Sequence, residues 1–229
     1  MIFAIAAALA SAAPSAGACP DVVTPSALVC RALQAQAAGN SEAAAQAFEE
    51  AAKASPNDDP ATARMLAAAG NMWLTAKQPG KAALALDKAL ASTHLQAEQR
   101  GEALLDRARA AEAQNDLKTA RAKLSEASAT ISGDPFYWYF SAAVAIREGD
   151  KAAAQSAINK ALTLAPSDPS ILFEAGHVAF LAGDEDKARS YWMRAAGNDP
   201  NGAVGRAAAK AVEMLGVTPV VKSQAEPPK

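Results

Sequence analysis

Along residues 134–202 apolar positions recur every three or four residues, and short polar or glycine-containing steps interrupt them. That spacing lines the apolar side chains along one stripe of an α-helix. The steps are Gly149-Asp150 and Gly183-Asp184, and each pair of helical runs closes at a proline, Pro166 and then Pro200, so the pattern repeats at an offset of 34 residues. It extends back through the chain. A small residue in the first helix of each pair falls at Ala32, Gly70, Ala108, Ala142 and Gly176, with spacings of 38, 38, 34 and 34. Large apolar residues in the second helix, Phe48, Leu86, Leu124, Ile158 and Trp192, keep the same spacings. A period of this length marks stacked helical hairpins, each burying its stripe against its neighbours.

The pattern predicts an all-α chain of five such units: 25–58, 63–96, 101–134, 135–168 and 169–202. Residues 59–62 and 97–100 are extra, and four residues are about one helical turn. Such an insertion keeps a buried face in phase, so the first helices of units two and three are expected to be longer. Asp59-Pro60 reads as an N-cap followed by proline at the first helical position. Gly39, Gly149 and Gly183 suit a left-handed helix end. Asn40, Asp116, Asp150 and Asp184 suit the N-cap of the following helix. The acidic run Asp184-Glu185-Asp186 is read as capping and dipole compensation rather than as a cation site. Residues 203–216 form one more amphipathic helix, a cap for the last apolar face, and 217–229 read as a flexible tail.

The beginning of the chain differs. Residues 1–18, MIFAIAAALASAAPSAGA, carry no charged side chain, and Ala16-Gly17-Ala18 is a small-residue cleavage pattern. This reads as a secretory signal peptide; the apolar run is too short to span a bilayer. The protein is therefore expected to be exported, with a periplasmic location. Residues 19–24 form a short N-terminal segment that contains Cys19, and Cys30 follows in the first helix. Export permits a disulfide between Cys19 and Cys30. A lipid anchor at Cys19 is the second reading, since Ala-Gly-Ala-Cys resembles a lipobox without its upstream Leu.

Composition narrows the function classes. A net charge of -2 with pI near 5.8 provides no basic stripe for nucleic acid. Two cysteines without a neighbouring histidine make a poor zinc site. No phosphate loop, G-x-S-x-G or H-E-x-x-H occurs, so no catalytic residue, metal or cofactor is assigned. Trp73, Trp138 and Trp192 fall at packing positions and are read as core.

The units resemble tetratricopeptide repeats over residues 25–202. In unit five Leu172, Gly176, Ala179, Ala188, Trp192, Ala195 and Pro200 occupy the family's signature positions; unit four offers Trp138, Ala142, Ala145, Ala154, Ile158, Ala161 and Pro166. Unit three departs at Arg107 and Ser132, and unit two has His94 where proline is usual. The resemblance implies a right-handed superhelix whose first helices line a concave groove for a peptide or partner helix. By repeat position the groove residues are Arg64, Asn71, Leu74 and Thr75, then Glu102, Leu105, Arg109 and Glu112. Units four and five add Phe136, Tyr139, Ala143, Ile146 and Arg147, then Ser170, Phe173, His177, Phe180 and Leu181. Phe136, Tyr139, Ile146, Phe173 and Phe180 are expected to make an apolar, aromatic stretch beside a charged one. The C-terminal helix or tail folding back over it is the competing reading. The function implied is a non-enzymatic protein-interaction scaffold; the alternative is a small helical enzyme or ligand carrier using the groove as a pocket.

Overall fold

The structure, a computed structural model, describes residues 19–56 and 59–216. The signal-peptide reading of residues 1–18 and the tail assigned to 217–229 lie outside the described residues. The described elements are α1 (Pro25–Ala37), α2 (Ser41–Ala54), α3 (Pro60–Thr75), α4 (Pro79–Ala91), α5 (Ala97–Ala113), α6 (Leu117–Ile131), α7 (Pro135–Glu148), α8 (Lys151–Leu164), α9 (Pro169–Leu181), α10 (Glu185–Asn198) and α11 (Ala203–Gly216). The described residues contain no strand. The architecture is an α-solenoid in which each helix packs on the next.

The turns explain why the chain reverses where it does. Gly39, Gly149 and Gly183 have φ of 75°, 76° and 87°, in the left-handed region where a Cβ is unwelcome. Lys77 and Asn115 take the same conformation at the corresponding turns of units two and three, with φ of 57° and 63°. One residue on, a side chain caps the next helix. Asn40 accepts from the Ala43 amide at 3.1 Å, Asp116 from Thr119 at 3.0 Å, Asp150 from Ala153 at 3.0 Å and Asp184 from Lys187 at 3.1 Å. Only α4 departs: Gln78 makes no side-chain cap, and Pro79 opens the helix instead.

The inserted residues lengthen the first helices as expected. α3 and α5 run 16 and 17 residues, against 13 or 14 for α1, α7 and α9. Asp59 caps α3 ahead of Pro60, its carboxylate accepting from the Ala61 amide at 2.8 Å.

The core is a row of small clusters. Ala32, Ala108 and Ala142 are fully enclosed, and the large partners Phe48, Leu86, Leu124, Ile158 and Trp192 are buried against them and their neighbours. Gly70 and Gly176 stand at the same position because Leu86 and the Trp192 indole occupy the space a Cβ would need. Trp73 and Trp192 are core residues at 2% and 4% exposure. Trp138 is only half-buried: its indole N–H donates to the Ser132 carbonyl at 2.7 Å, and Lys160 lies 3.9 Å from its ring.

At the N-terminal end, Cys19 and Cys30 are joined by a disulfide. Arg31 donates to the carbonyls of Val22 and Pro20, so the segment before α1 is held by one covalent and two polar ties. At the other end α11 packs on α10 and α9, with Ala208 and Leu215 buried against Leu172, Ala179 and Trp192.

Candidate functional site

The sequence-predicted groove residues lie on the first helices α3, α5, α7 and α9, and those that line a hollow or make side-chain contacts there gather in three groups. The first surrounds a concavity of about 400 Å³ between α1, α3 and α5. Arg64, Asn71 and Glu102 line it, joined by Leu33 and Gln36 from α1. Ala67, Ala68 and Ala103 leave its floor open. Leu33, 54% exposed, is an apolar rim.

Asp106 belongs to this group although the repeat position points to Leu105. Leu105 is buried in the α5–α7 core instead. Asp106 accepts from the Asn71 side-chain amide at 2.7 Å and from Arg109 at 2.7 Å. It therefore ties α3 to α5 and holds Arg109 in place. The missed signal was the i,i+3 pair Asp106–Arg109, whose members share a helix face.

The second group joins α5 to α7. Arg147 pairs with Glu112, donates to the Glu112 backbone carbonyl at 2.9 Å and reaches Asn115 Oδ1 at 2.8 Å. The Arg109 guanidinium lies 5.6 Å from the Phe136 ring centroid. Phe136, 41% exposed, in turn contacts Tyr139 at 5.4 Å and Phe140 at 6.5 Å between centroids. Burial holds the Tyr139 phenol above its ordinary pKa, with Glu174 and Asp168 adding to the effect, so it stays protonated across the physiological range.

The third group gathers on α9 around Trp192. His177 packs edge-on against Phe173 at 4.4 Å and against Trp192 at 5.6 Å, and Phe180 lies 6.0 Å from Trp192. His177 Nδ1 is 3.4 Å from Glu174. Phe173 is half-buried against the α9–α11 core, and its carbonyl accepts from the Trp192 indole at 3.0 Å. Ile146 is set apart, packed on the α7–α9 core and lining an apolar hollow with Val178 and Leu181. The aromatic residues thus form two clusters, one beside Arg109 and one around Trp192, and no ring contact among the described residues joins them.

Among the described residues no group of three His, Cys, Asp or Glu is placed to hold a metal ion. No helix among them is long and apolar enough to cross a membrane.

Two family models, both described as tetratricopeptide repeat, match residues 31–101 and 93–197. The chain is a tetratricopeptide-repeat protein. The solved structures agree on the fold. PilW, described as a widely conserved type IV pilus biogenesis factor, superposes with a TM-score of 0.68 at 19% identity over 81% of this chain and 82% of its own. PilF of Pseudomonas aeruginosa gives 0.66 at 16% identity over 83% of both chains. YrrB, described as a TPR protein with an unusual peptide-binding site, gives 0.58 at 17% identity over 80% of this chain and 91% of its own. At these identities the likeness is one of fold alone. No curated protein matches the sequence of this tetratricopeptide-repeat chain.

Proposed function

We propose that this protein is a non-enzymatic scaffold, exported to the periplasm, that binds a protein or peptide segment along the face formed by its first helices. The observation that carries the reading is the concavity between α1, α3 and α5; Phe136 on α7 and Phe180 on α9 add exposed aromatic surface. A face that combines open apolar surface with uncommitted polar groups suits a macromolecular partner. The residues spent on holding the solenoid together, Asp106, Glu112 and Arg147, frame that surface rather than occupy it. A neighbour of the same fold, YrrB, carries a peptide-binding site by its description. Export is supported by the leader-like residues 1–18 and by the Cys19–Cys30 disulfide, which suits an oxidising compartment. A lipid on Cys19 would need the sulfur that the disulfide uses.

The test is affinity capture from the cell envelope with the mature chain, in parallel with a Phe136→Asp/Phe180→Asp variant. Both side chains are exposed, so the variant is expected to keep its helical content. A stoichiometric protein partner present with the first bait and lost with the second is the expected result. A partner retained equally by both places binding elsewhere, and no stoichiometric partner at all defeats the scaffold reading.

A further inference from the structure

The concavity between α1, α3 and α5 has a specific origin in the sequence. The fifth residue of each unit is Val29, Ala67, Leu105, Tyr139 and Phe173. In units four and five that position carries a half-buried aromatic ring packed on a neighbouring ring of its own helix. In unit two it is Ala67, and the space a larger side chain would take is open. Ala68 and Ala103 widen the same hollow, and Met72 and Leu95 give it apolar walls. It can accept one large side chain without displacing any of its own.

Its rim is charged in a particular way. Arg64 on α3 and Glu102 on α5 are both exposed, and neither side chain makes an ion pair or hydrogen bond with another described residue. The other carboxylate, Asp106, is already engaged by Arg109 and Asn71. Among the described residues, one cation and one anion on neighbouring helices therefore stand without a side-chain partner at the mouth of an apolar hollow. An extended segment crossing from α3 to α5 would meet the cation first and the anion second.

Resting on the reading of this face as a protein-binding surface, we propose that the hollow is the anchor subsite and that it takes a peptide with one large apolar side chain. An acidic residue on one side of that anchor meets Arg64, and a basic residue on the other meets Glu102. Charge complementarity selects this occupant over a uniformly charged or uniformly apolar one. The anchor supplies affinity, and the two exposed charges supply orientation and selectivity.

The experiment is selection from a displayed library of random peptides, about a dozen residues long, on the purified mature chain, followed by affinity measurement on the enriched peptides. The expected consensus is a Leu, Met or Phe with an acidic and a basic residue on opposite sides. Ala67→Phe fills the hollow with a ring of the kind units four and five already carry there, so the fold accommodates it. It should weaken binding about tenfold or more. The exposed-charge swap Arg64→Glu/Glu102→Arg leaves the floor intact and should reverse the order of the flanking charges in a repeated selection. Enriched peptides that bind Ala67→Phe undiminished but lose binding to Phe136→Asp overturn the anchor subsite and leave the protein-binding face standing. So does a consensus indifferent to the charge swap. A library that yields no enriched peptide overturns both.

Discussion

At the scale of single residues the solenoid depends on a few close approaches. Gly176 lets the Trp192 indole lie across α9 and donate to the Phe173 carbonyl, and any side chain at residue 176 would run into that ring. Trp192 is also the centre of the cluster that receives α11 and the neighbour of His177 and Phe180. A methyl group there must displace a rigid, nearly fully buried indole, so Gly176→Ala should cost about 1–3 kcal/mol, the range for overpacking a core. A Cβ added at Gly197, in α10, would meet nothing within 4 Å among the described residues. Gly197→Ala should therefore gain up to about 1 kcal/mol from helix propensity alone. Thermal denaturation followed by circular dichroism separates the two, and a Gly176→Ala protein as stable as the parent would show that the indole has room to move.

At the scale of elements, what begins and ends the helices is short-range chemistry. Asp116 is held below the ordinary aspartate pKa by hydrogen bonds from the Thr119 side chain and backbone. Asp184 is held below it by the Lys187 backbone amide and then by the Lys187 side chain. A carboxylate with a lowered folded-state pKa contributes its stabilisation fully above the unfolded pKa and loses it as pH falls through the folded one. Both caps should therefore weaken in acid, below about pH 4, and leave stability flat around neutrality. Asn40 already caps α2, so Asp116→Asn/Asp184→Asn keeps the geometry and removes the titration. Denaturant midpoints measured from neutral to acid pH should fall less steeply in the variant; identical slopes would take these caps out of the acid response. These ends are legible in the sequence because Gly, Asn, Asp and Pro act on the next two or three residues only. The spacing of Phe48, Leu86, Leu124, Ile158 and Trp192 is legible for a related reason, since large apolar side chains at a fixed period mark one buried position repeated from unit to unit. The anchor hollow is not, because it consists of what Ala67, Ala68 and Ala103 lack, and one more alanine carries little signal in an alanine-rich chain. Nor is the link between Asn71 and Asp106, which requires knowing that α3 lies beside α5.

At the scale of the whole molecule, a solenoid has no single core, and its cooperativity is set by its thinnest interface. α3 packs closely on α5 and α7 on α9, but α5 and α7 do not pack in this way, and α6 on α7 is the least extensive of the consecutive helix pairs. Side chains compensate at that junction. The buried Tyr137 hydroxyl donates to the Leu124 carbonyl at 3.1 Å, and burial holds that phenol above its ordinary pKa. Arg147 binds Glu112 and Asn115 across the same boundary. A neutral buried hydrogen bond contributes about 0.5–1.5 kcal/mol and an exposed ion pair about 1 kcal/mol at most. Tyr137→Phe/Arg147→Ala should therefore remove about 1–2 kcal/mol of coupling between α1–α6 and α7–α11 while leaving the core of either part intact. Amide exchange in mild denaturant reads this directly. Amides in α8 and α9 should lose protection about tenfold relative to those in α3 and α4, because the C-terminal part has only the α11 cap and its own two units to rely on. A uniform loss along the chain would mean that the junction between α6 and α7 is no weaker than the rest, and that the groups on α5, α7 and α9 move as one surface.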